Sequence, residues 1–164
     1  MNEEDVTRIV RDTGLPEAAV VALLANIAVE TGNTFDPSIK QRGASNPAQG
    51  LLQFDPKGKL PDYQEYLKEN AYKDNAQNQI NYFMDTIYGP NMDEIGRGNA
   101  LKLQKIIETG NHEEVTKALS DLWFKPGKPH LDRRLEEARN RYSVIQSEAE
   151  PASLSNPLFK RGEF

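Results

Sequence analysis

Glu30 stands near the end of an apolar stretch, in the string Ala28-Val29-Glu30-Thr31-Gly32. A carboxylate on an apolar helix face is costly unless something pairs it or uses it. A polar loop with glycines follows, and then a second apolar run, Gly50-Leu51-Leu52-Gln53-Phe54, that carries an amide. One acid, a polar loop and an amide suit the cleavage of a glycoside, in which a carboxyl group protonates the leaving oxygen.

The element that must position Glu30 is a helix. Pro16 and Glu17 fit a first turn, and Val20, Leu23, Leu24 and Ile27 recur at helical spacing. Gly32 supplies a stop. On that helix Leu23, Ile27 and Glu30 share one face, so Glu30 projects from the buried side of the last turn. Burial and the negative end of the helix dipole both disfavour a charged carboxyl group there. That is the direction a general acid needs near neutral pH. The alternative is that Glu30 ends a fraying helix in solvent or bonds a backbone amide, and spacing alone favours that alternative.

The 164 residues suffice for one domain with a core. A net charge of -5 gives no electrostatic case for nucleic acid. Without cysteine there is no disulfide, thiol nucleophile or thiolate zinc site. His112 and His130 lie far apart and lack a ligand spacing, so neither metal nor cofactor is expected. The start, Met1-Asn2-Glu3-Glu4-Asp5, is acidic and is not a signal peptide. No stretch is long and apolar enough to span a bilayer.

The remaining pattern predicts a mainly helical domain over residues 1–146. A first helix runs from Glu3 to Asp12, with Val6, Ile9 and Val10 inward. Residues 33–58 read as loop with a short hairpin. Pro61 opens a helix through Tyr63, Tyr66 and Leu67. Others run from Asn75 to Tyr88 and from Ala100 to Thr109. Asn111 with Glu114 makes a capping-box start for the next, which Lys125-Pro126-Gly127 breaks. The last helix turns Leu131, Leu135, Ala138, Tyr142 and Ile145 inward, and Arg133, Arg134, Glu136 and Glu137 outward. Ser147 to Phe164 reads as a flexible tail or linker that could dock on a partner.

Several of these residues carry a family resemblance. Glu30-Thr31, Phe35-Asp36-Pro37, Gly43-Ala44-Ser45 and Gly50-Leu51-Leu52-Gln53 together resemble the E-S-x-F-N-P … S-x-x-G-x-x-G-L-M-Q pattern of lysozyme-like lytic transglycosylases. More narrowly, the chain resembles the phage tail lysozymes, cell-wall-degrading domains carried in virions. Gln79-Ile80-Asn81-Tyr82-Phe83 and the ending from Trp123-Phe124 through Pro129 and Arg134 to Tyr142 extend the likeness to most of the chain.

The resemblance implies a lysozyme-like helical fold whose loop segment lines a substrate cleft. It implies cleavage of the β-1,4 bond between N-acetylmuramic acid and N-acetylglucosamine in peptidoglycan strands. Glu30 matches the catalytic acid. Gln53, Gly50 and Thr31 match positions that border the substrate, with Thr31 in place of a serine. The resemblance also implies a protein of the phage virion that acts in the host wall or periplasm, with other virion proteins as partners through the tail.

A second carboxylate is not fixed by these residues. Asp36 and Asp55 are the candidates, and each precedes a proline, where such residues commonly order a turn. The glutamate–aspartate–threonine spacing of another phage lysozyme type is missing, with Ile39 standing where the aspartate would be. A lytic transglycosylase dispenses with a second acid, because the 6-hydroxyl of the sugar attacks and leaves a 1,6-anhydro product. The balance therefore leans to that chemistry, with hydrolysis next. Tyr63, Tyr66, Tyr88, Trp123 and Phe124 are available to stack on sugars. Two other readings stay open: a non-catalytic virion or wall-binding protein that keeps the fold, and a glycosidase acting on chitin or chitosan.

Overall fold

The computed structural model describes residues 1–149. It holds seven α-helices: α1 (Glu3–Arg11), α2 (Glu17–Thr31), α3 (Lys59–Glu69), α4 (Ala76–Tyr88), α5 (Arg97–Thr109), α6 (His112–Ala118) and α7 (Leu131–Ala149). A 3-10 turn, Met92–Glu94, precedes α5, and a π-helical turn, Leu119–Phe124, extends α6. The mainly helical expectation holds. Among the described residues no helix is long and apolar enough to cross a membrane.

α2 is the axle of the fold. Residues from Ala19 to Ala28 are all buried, so this helix has no solvent face. The expectation of a single buried stripe was too narrow: a helix that is apolar all round is one enclosed by others. α1, α6 and α7 pack around it, together with the π turn. Pro16 is the cap residue rather than part of the first turn, and its carbonyl accepts from Ala19 and Val20.

Most helix starts follow local chemistry. Asn2 accepts from the Asp5 amide at 3.0 Å while the Asp5 carboxylate accepts from the Asn2 amide, a reciprocal cap that closes α1. Asn75 and Asn111 cap α4 and α6 through the amides of Asn78 and Glu114. Two helices begin earlier than their apolar stripes suggest: α3 at Lys59, with Pro61 inside its first turn, and α5 at Arg97.

Residues 33–58 form no regular strand, yet the segment is tied down. Lys40 bridges Gln49, and Gln49 bridges Phe54, so the chain doubles back twice. Phe35, Leu51, Leu52 and Phe54 plug it into the core. The loop reading matches this arrangement, while the expected short hairpin is reduced to these two isolated bridges. α7 continues through Ser147 to Ala149, and the tail assigned beyond it lies outside the described residues.

An aromatic group locks α3 and α4 to this segment. Phe54 stacks on Tyr63 at 4.4 Å, and Tyr66 and Tyr82 pack around them. Tyr63 donates to Asp74 at 2.8 Å, and Tyr82 donates to Glu94 of the 3-10 turn. Burial, above all, pushes the phenols of Tyr63 and Tyr82 well up, and that of Tyr66 up to about 12. In the unfolded chain these groups ionise near the ordinary value of about 10. Their contribution to stability is therefore complete below that pH and is lost as pH rises above it. The expected outcome is a melting temperature that declines above pH ~10, with tyrosinate absorbance from these three residues appearing only as the fold is lost. Ordinary titration of all six tyrosines in a chain that stays folded would contradict the packing described.

Candidate active site

Glu30 lies in the last turn of α2, beside a cleft of about 770 Å³. The helix ends there because Gly32 takes a left-handed conformation (φ 58°) and the Asn33 amide reaches back to Ala28 O at 2.8 Å. Three walls meet at the cleft. Val29 and Glu30 form the first. Ala48, Leu52, Gln53, Asp55 and Pro56, from the doubled-back segment, form the second. Residues 124–128, His130 and Arg134 form the third.

Glu30 is not alone. Arg134 donates to Glu30 Oε1 from Nη2 at 2.5 Å, to Asn26 Oδ1 from Nη1 at 2.8 Å, and to the Pro129 carbonyl from Nε at 2.7 Å. Asn26 in turn donates to the carbonyls of Ala22 and Thr116. The outward placement of Arg134 is thus corrected: its side chain is 1% exposed, against 16% for Glu30. The solitary carboxyl group expected on an apolar face is corrected with it. A buried guanidinium whose three donating nitrogens are all bonded is a satisfied charge, and its planar fork fixes the geometry of what it holds. Glu30 Oε2 makes no hydrogen bond among the described residues.

The sequence held a signal for this network. Asn26 stands one turn before Glu30 inside an otherwise buried helix, so both needed a shared partner. Arg134 lies three residues after Leu131 and four before Ala138, on the inward stripe of α7 rather than opposite it.

Gln53 and Asp55 border the cleft with Glu30. The Gln53 backbone is left-handed (φ 46°), and its Nε2 donates to Gly50 O at 2.9 Å, which sets the direction of the amide and leaves its oxygen available. Asp55 is exposed and accepts from the Lys57 amide at 3.1 Å.

Three of the other residues singled out from sequence fall outside the cleft lining. Gly50 is buried with φ +84°, and a Cβ there would come within 2.8 Å of Gln79 Oε1. Gln79 accepts from the Leu51 amide and donates to Pro37 O and Asp74. The glycine is needed for that packing and for its left-handed backbone. Thr31 is buried, donates to Ile27 O and accepts from the Phe35 amide, so its hydroxyl starts the loop. Asp36 accepts from the Ser38 hydroxyl and amide, and those bonds, the hydroxyl first, hold its carboxyl group below the usual range. It orders the turn before Pro37.

Of the five aromatic residues named as sugar-stacking candidates, Phe124 alone lines the cleft. Trp123 is buried and donates to Thr86 Oγ1 at 2.9 Å; Tyr63 and Tyr66 belong to the core, and Tyr88 lies elsewhere on the surface. The π turn explains how neighbours divide so sharply. Its wider coil, closed by the Lys125 amide on Ser120 O at 2.8 Å, buries Trp123 and leaves Phe124 beside the cleft. Lys59 sits over the Trp123 ring at 4.8 Å, and burial, then repulsion from Lys125, push its ammonium group down from the usual lysine value.

No curated protein matches the sequence significantly. The family model of the phage tail lysozymes matches residues 1–145. That span takes in every wall of the cleft and all of the helices up to the last turn of α7. The chain belongs to the phage tail lysozyme family, and with it to the lysozyme-like enzymes that degrade peptidoglycan.

Proposed function

We propose that this protein is a virion-associated glycosidase that cleaves the bond between N-acetylmuramic acid and N-acetylglucosamine, with Glu30 as general acid and base. The observation that carries this reading is a carboxyl group that lines an open cleft, gripped at one oxygen by Arg134 and with no hydrogen bond to the other among the described residues. In the first step the protonated form of Glu30 gives its proton from Oε2 to the glycosidic oxygen as an oxocarbenium-like centre develops, which leaves the carboxylate paired with Arg134. The Arg134 bond to Oε1 fixes the direction of that transfer. In the second step the same oxygen takes a proton from the attacking hydroxyl group.

The attacking group in this reading is the 6-hydroxyl of the muramic sugar, which leaves a 1,6-anhydro end. One acid then suffices, in keeping with Asp36 being committed to its turn. A second reading, hydrolysis, draws on Asp55, which borders the same cleft and could orient a water. Digestion of purified sacculi distinguishes them. Anhydro products, lighter by one water, are the expected result; reducing ends would transfer the second role to Asp55.

Gln53 serves as a substrate contact. Truncation to alanine removes one amide oxygen from the cleft, and the expected loss in kcat/KM is about two- to ten-fold, the worth of one hydrogen bond. An unchanged rate on sacculi would take Gln53 out of the substrate-binding set.

A further inference from the structure

The chain carries a net charge of -5, yet the third wall of the cleft is basic. Arg134 is neutralised there by Glu30. Lys125 and Lys128 are exposed, border the cleft, and have no acid within 4 Å among the described residues, where eight ion pairs do form. His130 stands beside them. Among the described residues that line the cleft, Asp55 is the acid with no ion pair within 4 Å.

This wall is built rather than loose. Lys125 (φ 45°) and His130 (φ 45°) both hold left-handed backbones without being glycine, a conformation that must be sustained by surrounding contacts. Those contacts are present. The Lys125 amide bonds Ser120 O, Arg134 Nε bonds Pro129 O at 2.7 Å, and two prolines stiffen the span between. Behind it, Lys59 adds a further cation close enough to repel Lys125. Two ammonium groups therefore border the cleft with no ion-pair partner within 4 Å among the described residues.

A neutral sugar polymer gives such a wall nothing to bind. The N-acetylglucosamine residues of both chitin and peptidoglycan carry no charge. What peptidoglycan adds is a carboxylate-bearing substituent on every muramic sugar, the lactyl ether with its peptide. We infer that Lys125 and Lys128 form a subsite for a carboxylate of that substituent, so that the enzyme selects peptide-bearing strands over uncharged N-acetylglucosamine chains. This rests on the proposed reading only in that the cleft beside Glu30 is where the glycan strand binds, and it gives the basic wall a role in specificity.

The test compares wild type with the double variant Lys125→Ala/Lys128→Ala, and with Lys125→Glu/Lys128→Glu. Affinity is read by co-sedimentation with purified sacculi and with chitin, at low and at raised salt. Both side chains are exposed, so melting curves should overlay. In an active-site background of Glu30→Gln, binding is measured without turnover, so the result does not depend on which bond is cut or whether any is. The sacculus-to-chitin preference should fall about three- to ten-fold in the alanine variant, as for two exposed charge pairs, and further in the glutamate variant. Raised salt should weaken wild-type binding to sacculi and leave the alanine variant little affected. An unchanged preference, or equal losses on both polymers, would overturn the subsite. Failure of wild type to cut sacculi, with the preference still dependent on the lysines, would instead overturn the catalytic reading and leave this one standing.

Discussion

Replacement of Glu30 by glutamine is expected to abolish release of muropeptides from sacculi while the chain stays folded. The side chains are nearly isosteric, and the amide oxygen can still accept from Arg134 Nη2 in place of Oε1. The charge on the acceptor is lost, which costs about 1–2 kcal/mol in a bond to a cation. What glutamine cannot replace is a carboxyl group able to give and take a proton. General acid–base groups contribute about 10²- to 10⁴-fold, and loss on that scale is the expected result. Mass spectrometry of sacculus digests, with circular dichroism to verify the fold, checks it. Activity close to wild type would move the reaction away from Glu30. Wild type and variant both folded and both silent would favour a wall-binding role for the same cleft.

The second large effect is expected at Arg134. Its guanidinium joins three pieces of chain: the middle of α2 through Asn26, the end of α2 through Glu30, and the basic wall through Pro129. Methionine would fill much of the space and satisfy none of those acceptors. Removing one partner of a buried ion pair costs about 3–5 kcal/mol, and partial exposure of Glu30 places this case at the lower end. For a chain of this size a loss of about 3 kcal/mol lowers Tm by roughly 6–12 °C. Cleavage measured well below that Tm should still fall, because Glu30 and the loop that carries Lys128 lose their common anchor. Lysine at the same position should recover little, since a single ammonium cannot reproduce the fork. A double-mutant cycle with Glu30→Gln isolates the pair, and a coupling near zero would mean that the two side chains are neighbours rather than partners.

Much of the fold was legible because it is written locally. The cap at Asn111, the stop at Gly32 and the 3–4 residue spacing of apolar side chains all act within a few residues of where they are read. The early starts of α3 and α5 were not legible, since their first turns are polar or contain proline and are held by neighbours. The π turn left no periodic mark either. It inserts a single residue into the helical count, and only the burial of Trp123 beside a cleft-facing Phe124 reveals it.

The candidate site divides along the same line. Type and order of residues brought Glu30, Gln53 and Asp55 forward, and the structure places all three on one cleft. Gly50, Thr31 and Asp36 came forward with them, because a residue that shapes a loop and one that touches a ligand leave the same trace in a string of letters. Their partners separate the two cases: Gln79 for Gly50, Phe35 for Thr31, Ser38 for Asp36.

By itself the sequence determined the helical architecture, the family resemblance and the placing of one carboxyl group at the end of an apolar helix, since each depends on side chains close together along the chain. Only the tertiary structure decided that Arg134, 104 residues beyond Glu30, holds that group, and that Lys125 and Lys128 border the same cleft. Charge pairing is set by distance in space, and the helices that bring α2 and α7 together do so by burying apolar surface, which carries no record of which polar groups will meet.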